Sequence, residues 1–499
     1  MRQILAALRR REAQSSQSCL MVDESGDHTV KGFLARVETL QNFFTQEQSR
    51  NVALLADNGA DWACVDIAVQ SAGLCIIPIP TFFTCNQLEY LLDEAGVDTL
   101  IVDPAGIALL SAKLRSELQA FAPCEEFSVA RFKRDRQAQY PTNTSKVTFT
   151  SGSTGNPKGV CLSSTHCENV ALSLAQAIEV NAPRHLSVLP LSVLLENIGG
   201  VYMPFLSGGC SIVPPLAELG FCGSSQMDVG KFLSCIDRYK PNTLILVPQF
   251  LQVLDHALSE GWRPPSSLEF VAVGGARVPP ALLERVVTNG IPVFEGYGLS
   301  ECASVVALNT RKGSRPGSCG RVLDHVEVVS QNGELEVSGS TFLGYLNQPD
   351  TWGQTEVLSG DMGELDADGY VTITGRRSNL IITSYGRNVS PEWVESELMD
   401  AAVFHQLVVL GDGRPGLVAL VLPVDTDGQE NLIDEAIAKA NRQLPDYAQV
   451  KHWMPMEEAM TADNGLLTST GKPRRSEILK HYQGQIDHLY VKHQELIVS

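Results

Sequence analysis

Eleven consecutive residues, 149–159 (Phe-Thr-Ser-Gly-Ser-Thr-Gly-Asn-Pro-Lys-Gly), carry four hydroxyls, three glycines and one lysine. Glycine lets a turn point its backbone N–H groups inward with no Cβ in the way, and hydroxyls plus an ammonium add donors that suit phosphate oxygens. The chemistry such a pattern serves is the holding of a polyphosphate, so the predicted ligand is a nucleotide. A flexible Ser/Gly linker is the competing reading. The stretch sits, however, between the run Lys146-Val147-Thr148 and the apolar Gly159-Val160-Cys161-Leu162, so one strand is expected to enter it and another to leave it. Lys158 follows Pro157 and precedes Gly159. A Walker-type loop needs glycine before its lysine and Ser or Thr after it to hold Mg²⁺, so the triphosphate must be held another way.

Three further segments follow in order. The first is Glu295-Gly296-Tyr297-Gly298-Leu299-Ser300-Glu301. The second combines Ser359-Gly360-Asp361, Gly375-Arg376 and Tyr385-Gly386-Arg387-Asn388-Val389-Ser390-Pro391. The last is Thr468-Ser469-Thr470-Gly471-Lys472. Taken singly these are weak: Gly274-Gly275-Ala276 would be a turn, Tyr297 a core aromatic, Glu301 a surface carboxylate, Asp361 a turn residue and Lys472 a solvated lysine. Together, in this order, they resemble the adenylate-forming (AMP-binding) superfamily of acyl-CoA synthetases, peptide-synthetase adenylation domains and luciferases, over residues 50–475.

That resemblance implies an ATP-dependent enzyme, an AMP-forming acid–thiol ligase. A carboxylate attacks the α-phosphate, pyrophosphate leaves, and a thiol then displaces AMP from the acyl-adenylate; developing phosphoryl charge must be met by positioned donors and Mg²⁺. It implies that Thr150, Ser151, Gly152, Ser153, Thr154 and Gly155 wrap the β- and γ-phosphates, with Lys158 beside them. Glu301 is the implied ligand of Mg²⁺, a hard cation suited to carboxylate and phosphate oxygens, and Ser300 keeps the hydroxyl that the family often supplies as Thr. Gly274, Gly275 and Ala276, with Glu295, Gly296, Tyr297 and Gly298, are the implied walls of the adenine site, Tyr297 offering a flat face. Asp361 takes the ribose hydroxyls and Arg376 stands between ribose and α-phosphate. Lys472 is the implied catalytic lysine, bridging the acyl carboxylate and α-phosphate, a role that suits an ammonium on a long stem. The implied hinge between half-reactions falls at Ser378, where relatives carry Asp or Lys, and rotation would bring Gly386 to a pantetheine thiol.

The acid is addressed by residues 190–202, a largely apolar segment with no aspartate to hold an α-ammonium, which disfavours an amino-acid substrate. The segment is closest to the Pro-Leu-x-His-x-x-Glu stretch of long-chain fatty acyl-CoA synthetases, with Val193 in place of the histidine. The expected substrate is a medium- or long-chain fatty acid, with aryl and other acids as alternatives. Gly199 and Gly200 either open a gap for an alkyl chain or pack a helix tightly. CoA is the expected acceptor, the phosphopantetheine of a separate carrier protein the alternative. A non-catalytic nucleotide-binding member is expected to lack Lys472, Glu301 or the loop hydroxyls, all of which are present.

The elements that must position these residues follow from length and pattern. At 499 residues the chain exceeds one ordinary core. Runs at 51–55, 74–79 and 99–102 alternate with helix-like stretches at 62–72 and 87–95, the grammar of βαβ units; it recurs at 186–190, 243–247 and 268–273. After about residue 320 short strands and the turns Asn332-Gly333 and Asp368-Gly369 indicate hairpins. From about 390 a helix (391–398), strands (407–410, 417–422) and another helix (433–441) form an α+β tail. The prediction is an α/β fold: a large N-terminal domain, 1–376, of helix-covered sheets with a β-rich subdomain at about 320–376, and a small mobile α+β C-terminal domain, 377–499. The basic, amphipathic residues 1–14 read as a surface helix rather than a targeting peptide. A net charge of −19 argues against a nucleic-acid partner, and no run approaches the ~20 apolar residues of a membrane span. Twelve cysteines without a CxxC pair point to a reducing cytoplasm, with most thiols as small core residues.

Overall fold

The computed structural model describes residues 1–132, 137–150, 157–222, 226–384, 388–399, 401, 403–424, 430–468 and 471–498. Two large sheets dominate. In one, the strands Val293–Leu299, Phe270–Val273, Thr243–Leu246, Arg184–Leu186, Cys210–Ile212 and Cys19–Asp23 run parallel in that spatial order, with antiparallel strands at both edges. In the other, Lys146–Thr150, Cys75–Pro78, Asn51–Leu55 and Thr99–Val102 are parallel neighbours, and Lys158–Leu162 pairs antiparallel with Lys146–Thr150. Buried strands of parallel sheets read as continuous apolar runs because both faces are covered; Thr243–Leu246 and Thr99–Val102 are buried at every position.

The core explains the layering. Helices Val30–Gln46, Ala60–Ser71 and Ser164–Ile178 lie in one apolar cluster that includes Met21 from the first sheet and Val52, Leu54 and Val160 from the second, so these helices are packed between the sheets. Val229–Tyr239, Pro248–Ser259 and Pro280–Thr288 cover the outer face of the first sheet, and Cys85–Glu94 that of the second. The N-terminal stretch is a helix, Arg2–Ser15, that buries Ile4 and Leu8 in the inter-sheet core.

The β-rich part is a four-stranded antiparallel sheet: Val326–Gln331, Glu334–Gly339, Glu356–Leu365 and Val371–Arg376. Asn332 and Gly333 both take positive φ (53° and 79°), as a two-residue hairpin turn requires. The second hairpin forms differently. Five residues separate Leu365 from Val371, and Asp366 organises them by accepting from the N–H groups of Asp368 and Tyr370. The C-terminal part has a three-stranded sheet, Phe404–Leu410, Leu417–Pro423 and Val450–Pro455. Helices Pro391–Leu398 and Glu430–Asn441 cover one face and Arg475–Val498 the other. The α/β class with a β-rich stretch and an α+β tail is thus as expected. No helix among the described residues is long and apolar enough to cross a membrane.

Candidate active site

The strands flanking the glycine-rich loop are as the sequence requires: Lys146–Thr150 enters it, Lys158–Leu162 leaves it, and Thr150 pairs with Lys158 across the hairpin. Ser151, Gly152, Ser153, Thr154 and Gly155 lie outside the described residues. The Lys158 ammonium stands 5.4 Å from the centroid of the Tyr345 ring. Tyr345 belongs to Gly344–Tyr345, a two-residue strand that pairs with Lys158–Leu162, and its hydroxyl donates to Glu301 Oε1 at 2.8 Å. Burial first, then the Glu301 charge, pushes the Tyr345 phenol up in pKa, so it stays a donor at neutral pH. Tyr345 therefore links Lys158, at the exit of the glycine-rich loop, to the candidate metal carboxylate. Sequence reasoning missed it, and no signal in the chain beyond the short Gly-Tyr pair could have found it.

Glu301 and Ser300 sit in a 3₁₀ turn, Ser300–Cys302, between Val293–Leu299 and Ser304–Leu308. The connection is strained: Ala303 (φ 51°) and Ser304 (φ 105°) both occupy the left-handed side of φ. A Cβ at Gly298 would lie 1.6 Å from Ser304 O, so only glycine allows this close crossing, and the main chain of Glu301 is fixed by Phe342 N donating to its carbonyl at 2.6 Å.

A second group forms around Asp361. Its carboxylate accepts from the Tyr297 hydroxyl at 2.7 Å and lies 3.2 Å from Arg376 Nε; Asp361 and Arg376 are partners across the Glu356–Leu365 and Val371–Arg376 pair. Burial raises the pKa of Asp361, against the attractions of Arg376, the Tyr297 hydroxyl and Lys472. Lys472 is exposed as a residue, yet its ammonium is within electrostatic reach of Arg376, Asp361 and Glu392; crowding and Arg376 lower its pKa, the two carboxylates raise it. The C-terminal lysine thus lies within electrostatic reach of the Asp361–Arg376 pair. Gly375 makes that junction possible, because a Cβ there would fall 2.6 Å from Ser390 Cβ. Ser390 caps the helix Pro391–Leu398 by accepting from Trp393 N.

The glycines read as adenine walls come together. Gly274 follows Phe270–Val273, and a Cβ there would approach Gly296 O to 3.0 Å. Gly275 and Ala276 are exposed beside it. Glu295 is 9% exposed, and burial pushes its carboxyl up to about 7, against Arg277 and the Val278 N–H. Gly386 lies outside the described residues. Ser378, read as the hinge, is exposed in a 3₁₀ turn, Arg377–Asn379; the next residue, Asn379, donates to Glu392 at 2.6 Å.

These residues fit a Mg²⁺-bound nucleotide by the chemistry of the donor set. Mg²⁺ asks for one or two carboxylates plus phosphate oxygens. Glu301 Oε2 carries no hydrogen bond from any described residue, while Oε1 is held by Tyr345. The Gly274 and Gly296 crossing leaves bare backbone where a flat base could approach.

The segment read as facing the acid is a short helix, Leu194–Glu196, running into a π-helix, Asn197–Tyr202. It opens no gap at its glycines. A Cβ at Gly199 would meet Ile245 Cδ1 at 2.5 Å, and one at Gly200 would meet Glu196 Oε1 at 2.4 Å and Ser187 Oγ at 2.9 Å, so both are tight packing contacts. Glu196 is fully buried and paired with His185 Nε2 at 2.9 Å, while His185 Nδ1 contacts Thr243 at 3.0 Å. Beside it is a charge network that sequence reasoning missed. Lys146 Nζ lies 3.0 Å from Asp66 Oδ1, both wholly buried, and donates to Asn197 and Tyr202; Tyr202 in turn donates to Asp66, and Gln70 to Tyr202 and Asp66. Its signal was a lysine opening a mostly buried strand with no other charge.

Comparison with known proteins places the chain in a family. The family model described as AMP-binding enzyme matches residues 8–346, and that described as AMP-binding enzyme C-terminal domain matches 378–494. A long-chain-fatty-acid–CoA ligase of Mycobacterium bovis is 23% identical over 535 residues, covering 88% of each chain. A feruloyl-CoA synthase of an Amycolatopsis species is 28% identical over 462 residues, covering 86% of this chain and 88% of that one. The anthranilate CoA ligase AuaEII, solved in complex with anthranoyl-AMP, shares the fold with a TM-score of 0.80 at 18% identity, covering 96% of both chains. With its larger part matched by one family model and its C-terminal part by the companion model, the chain belongs to the AMP-binding, adenylate-forming enzymes.

Proposed function

We propose that this enzyme activates a medium- or long-chain fatty acid with ATP and transfers the acyl group to the thiol of CoA, in the cytoplasm. The observation that carries the reading is the Asp361–Arg376 pair, held by Tyr297 and read as the ribose and α-phosphate site, with the C-terminal Lys472 ammonium within its electrostatic reach. In the first half-reaction the acid's carboxylate oxygen attacks the α-phosphorus and pyrophosphate leaves; in the second, the thiol attacks the acyl carbonyl and AMP leaves. Lys472 would hold the incoming carboxylate and the α-phosphate together, lowering the repulsion between two anions. Asp361, steadied by Tyr297, would take the ribose hydroxyls, and Arg376 the phosphate beside them. Glu301, oriented by Tyr345, would hold Mg²⁺, which when bound neutralises charge on the triphosphate. Thr150 and Lys158 would position the departing pyrophosphate. For the second half-reaction the unit 377–499 would turn about Ser378, an exposed residue in a short turn, and bring Gly386 to the thiol.

The apolar acid is supported by the segment 194–202, whose one carboxylate, Glu196, is fully buried and engaged through Oε1 by His185. The test is acid-dependent pyrophosphate release across fatty, aryl and amino acids, with Lys472→Ala as control, followed by AMP release on addition of CoA or a holo carrier protein. Release with fatty acids and CoA is expected. Release with aryl acids alone, or AMP only with a carrier, would replace the proposed substrate or acceptor, and no pyrophosphate with any acid would overturn catalysis.

A further inference from the structure

Away from the nucleotide site, the first sheet places two thiols in contact. Cys19 opens the strand Cys19–Asp23, Cys210 opens its parallel neighbour Cys210–Ile212, and their sulfurs lie 3.5 Å apart. Strict alternation would keep them apart. Met21 is opposite Ser211, which puts Cys19 in phase with residue 209 and out of phase with Cys210. The register slips between Cys19 and Met21 against the edge strand Gly26–Thr29. Leu20 and Met21 in consequence both enter the inter-sheet core, while Cys19 and Val22 pack on the outer face with Cys210 and Ile212. A bulge re-aims one side chain, and this one turns a thiol onto a thiol.

The surroundings favour an anion on Cys19. The hydrogen bond from Cys210 is the largest influence bringing Cys19 down to about 7; burial and Asp27 oppose it, and Arg184 and Arg11 assist. Arg11 is fixed in place by donating to the carbonyls of Cys19 and Gly209. The same contact, with burial, pushes Cys210 up. Both thiols keep partial exposure, and no other described pair of thiols is in hydrogen-bond contact.

We infer that Cys19 and Cys210 are a peroxide-sensitive modification site that closes to a disulfide. The Cys19 thiolate attacks one oxygen of hydrogen peroxide; the O–O bond breaks, Cys19 becomes a sulfenic acid, and hydroxide leaves to take up the proton Cys19 had lost. The Cys210 sulfur then attacks the Cys19 sulfur, its proton joins the departing hydroxyl as water, and the S–S bond forms. Two thiols lose two electrons and two protons, and the peroxide becomes two waters. The bond stitches the edge hairpin, 19–29, to the strand inside it.

The test treats the intact native chain with stoichiometric hydrogen peroxide, blocks remaining thiols by alkylation and maps the peptides by mass spectrometry. The expected first product is a dithiothreitol-reversible cross-link between the peptides of Cys19 and Cys210. In Cys210→Ser, Cys19 should be trapped by dimedone as the sulfenic acid; in Cys19→Ser, no cross-link to Cys210 should form. Oxidation of other cysteines ahead of this pair, or cross-links of Cys19 to other partners, would overturn the inference. The wild-type map decides the matter even where a variant folds poorly.

Discussion

Glu295 allows a quantitative test of the architecture around the glycines read as adenine walls. Its strand pairs with Phe270–Val273, Glu295 standing opposite Val273, and the side chain retains 9% exposure. Burial raises its pKa from 4.5 to about 7, outweighing Arg277 and the Val278 N–H. The folded state therefore binds a proton that the unfolded chain has already released. Stability is intact below pH 4.5 and is lost as the pH rises through about 7. At about 1.4 kcal/mol for each tenfold change in protonation, the loss is about 3 kcal/mol. Glu295→Gln keeps the shape and removes the titration. Thermal unfolding midpoints of the two proteins, scanned from pH 4.5 to 8, should diverge by several degrees in favour of the variant as the pH rises. A difference that does not change with pH would refute the burial argument. A wild type that gains on the variant would show that Arg277 outweighs burial.

Removing the Tyr345 hydroxyl by Tyr345→Phe frees the Glu301 carboxylate; since a hydrogen bond to a charged group contributes about 1.5–3 kcal/mol, kcat/KM for pyrophosphate release should fall roughly tenfold or more and demand more Mg²⁺. An unchanged Mg²⁺ dependence would detach Glu301 from the metal. Gly200→Ala drives a Cβ toward Glu196 and Ser187, so it should destabilise by about 1–3 kcal/mol and lower activity equally on short and long acids, read from the same assay across a chain-length series; a loss confined to long acids would restore the glycine gap. Lys146→Met strands Asp66 in the core and should cost about 3–5 kcal/mol in chemical denaturation, whereas Lys146→Met with Asp66→Leu should cost less than the single change.

The local grammar of the chain was largely legible. The run at 51–55 is the strand Asn51–Leu55, and the helix predicted at 391–398 is Pro391–Leu398, because apolar runs and a Ser-Pro start act over a few residues. Expectation and structure part where partners are distant in sequence. The run at 186–190 is strand only at Arg184–Leu186, since pairing with Thr243–Leu246 stops at Leu186. Asp368-Gly369 marks a hairpin, but Asp366 sets the turn. Gly199 and Gly200 left two readings open that only the positions of Ile245 and Glu196 could separate. Tyr345 and Lys146 act through partners 44 to 80 residues away, a distance at which neither periodicity nor turn chemistry speaks.

Lys146 opens the strand that ends at Thr150, about 13 Å away at ~3.3 Å per residue, and its ammonium is bolted to Asn197 and Tyr202 at the two ends of the π-helix. A strand is stiff along its length. The segment read as touching the acid and Thr150, where the strand ends, are therefore the two ends of a single strut with the Lys146–Asp66 salt bridge as its pivot. On the proposed function, an ill-fitting acid that displaces residues 197–202 would pull on Thr150 through this strut.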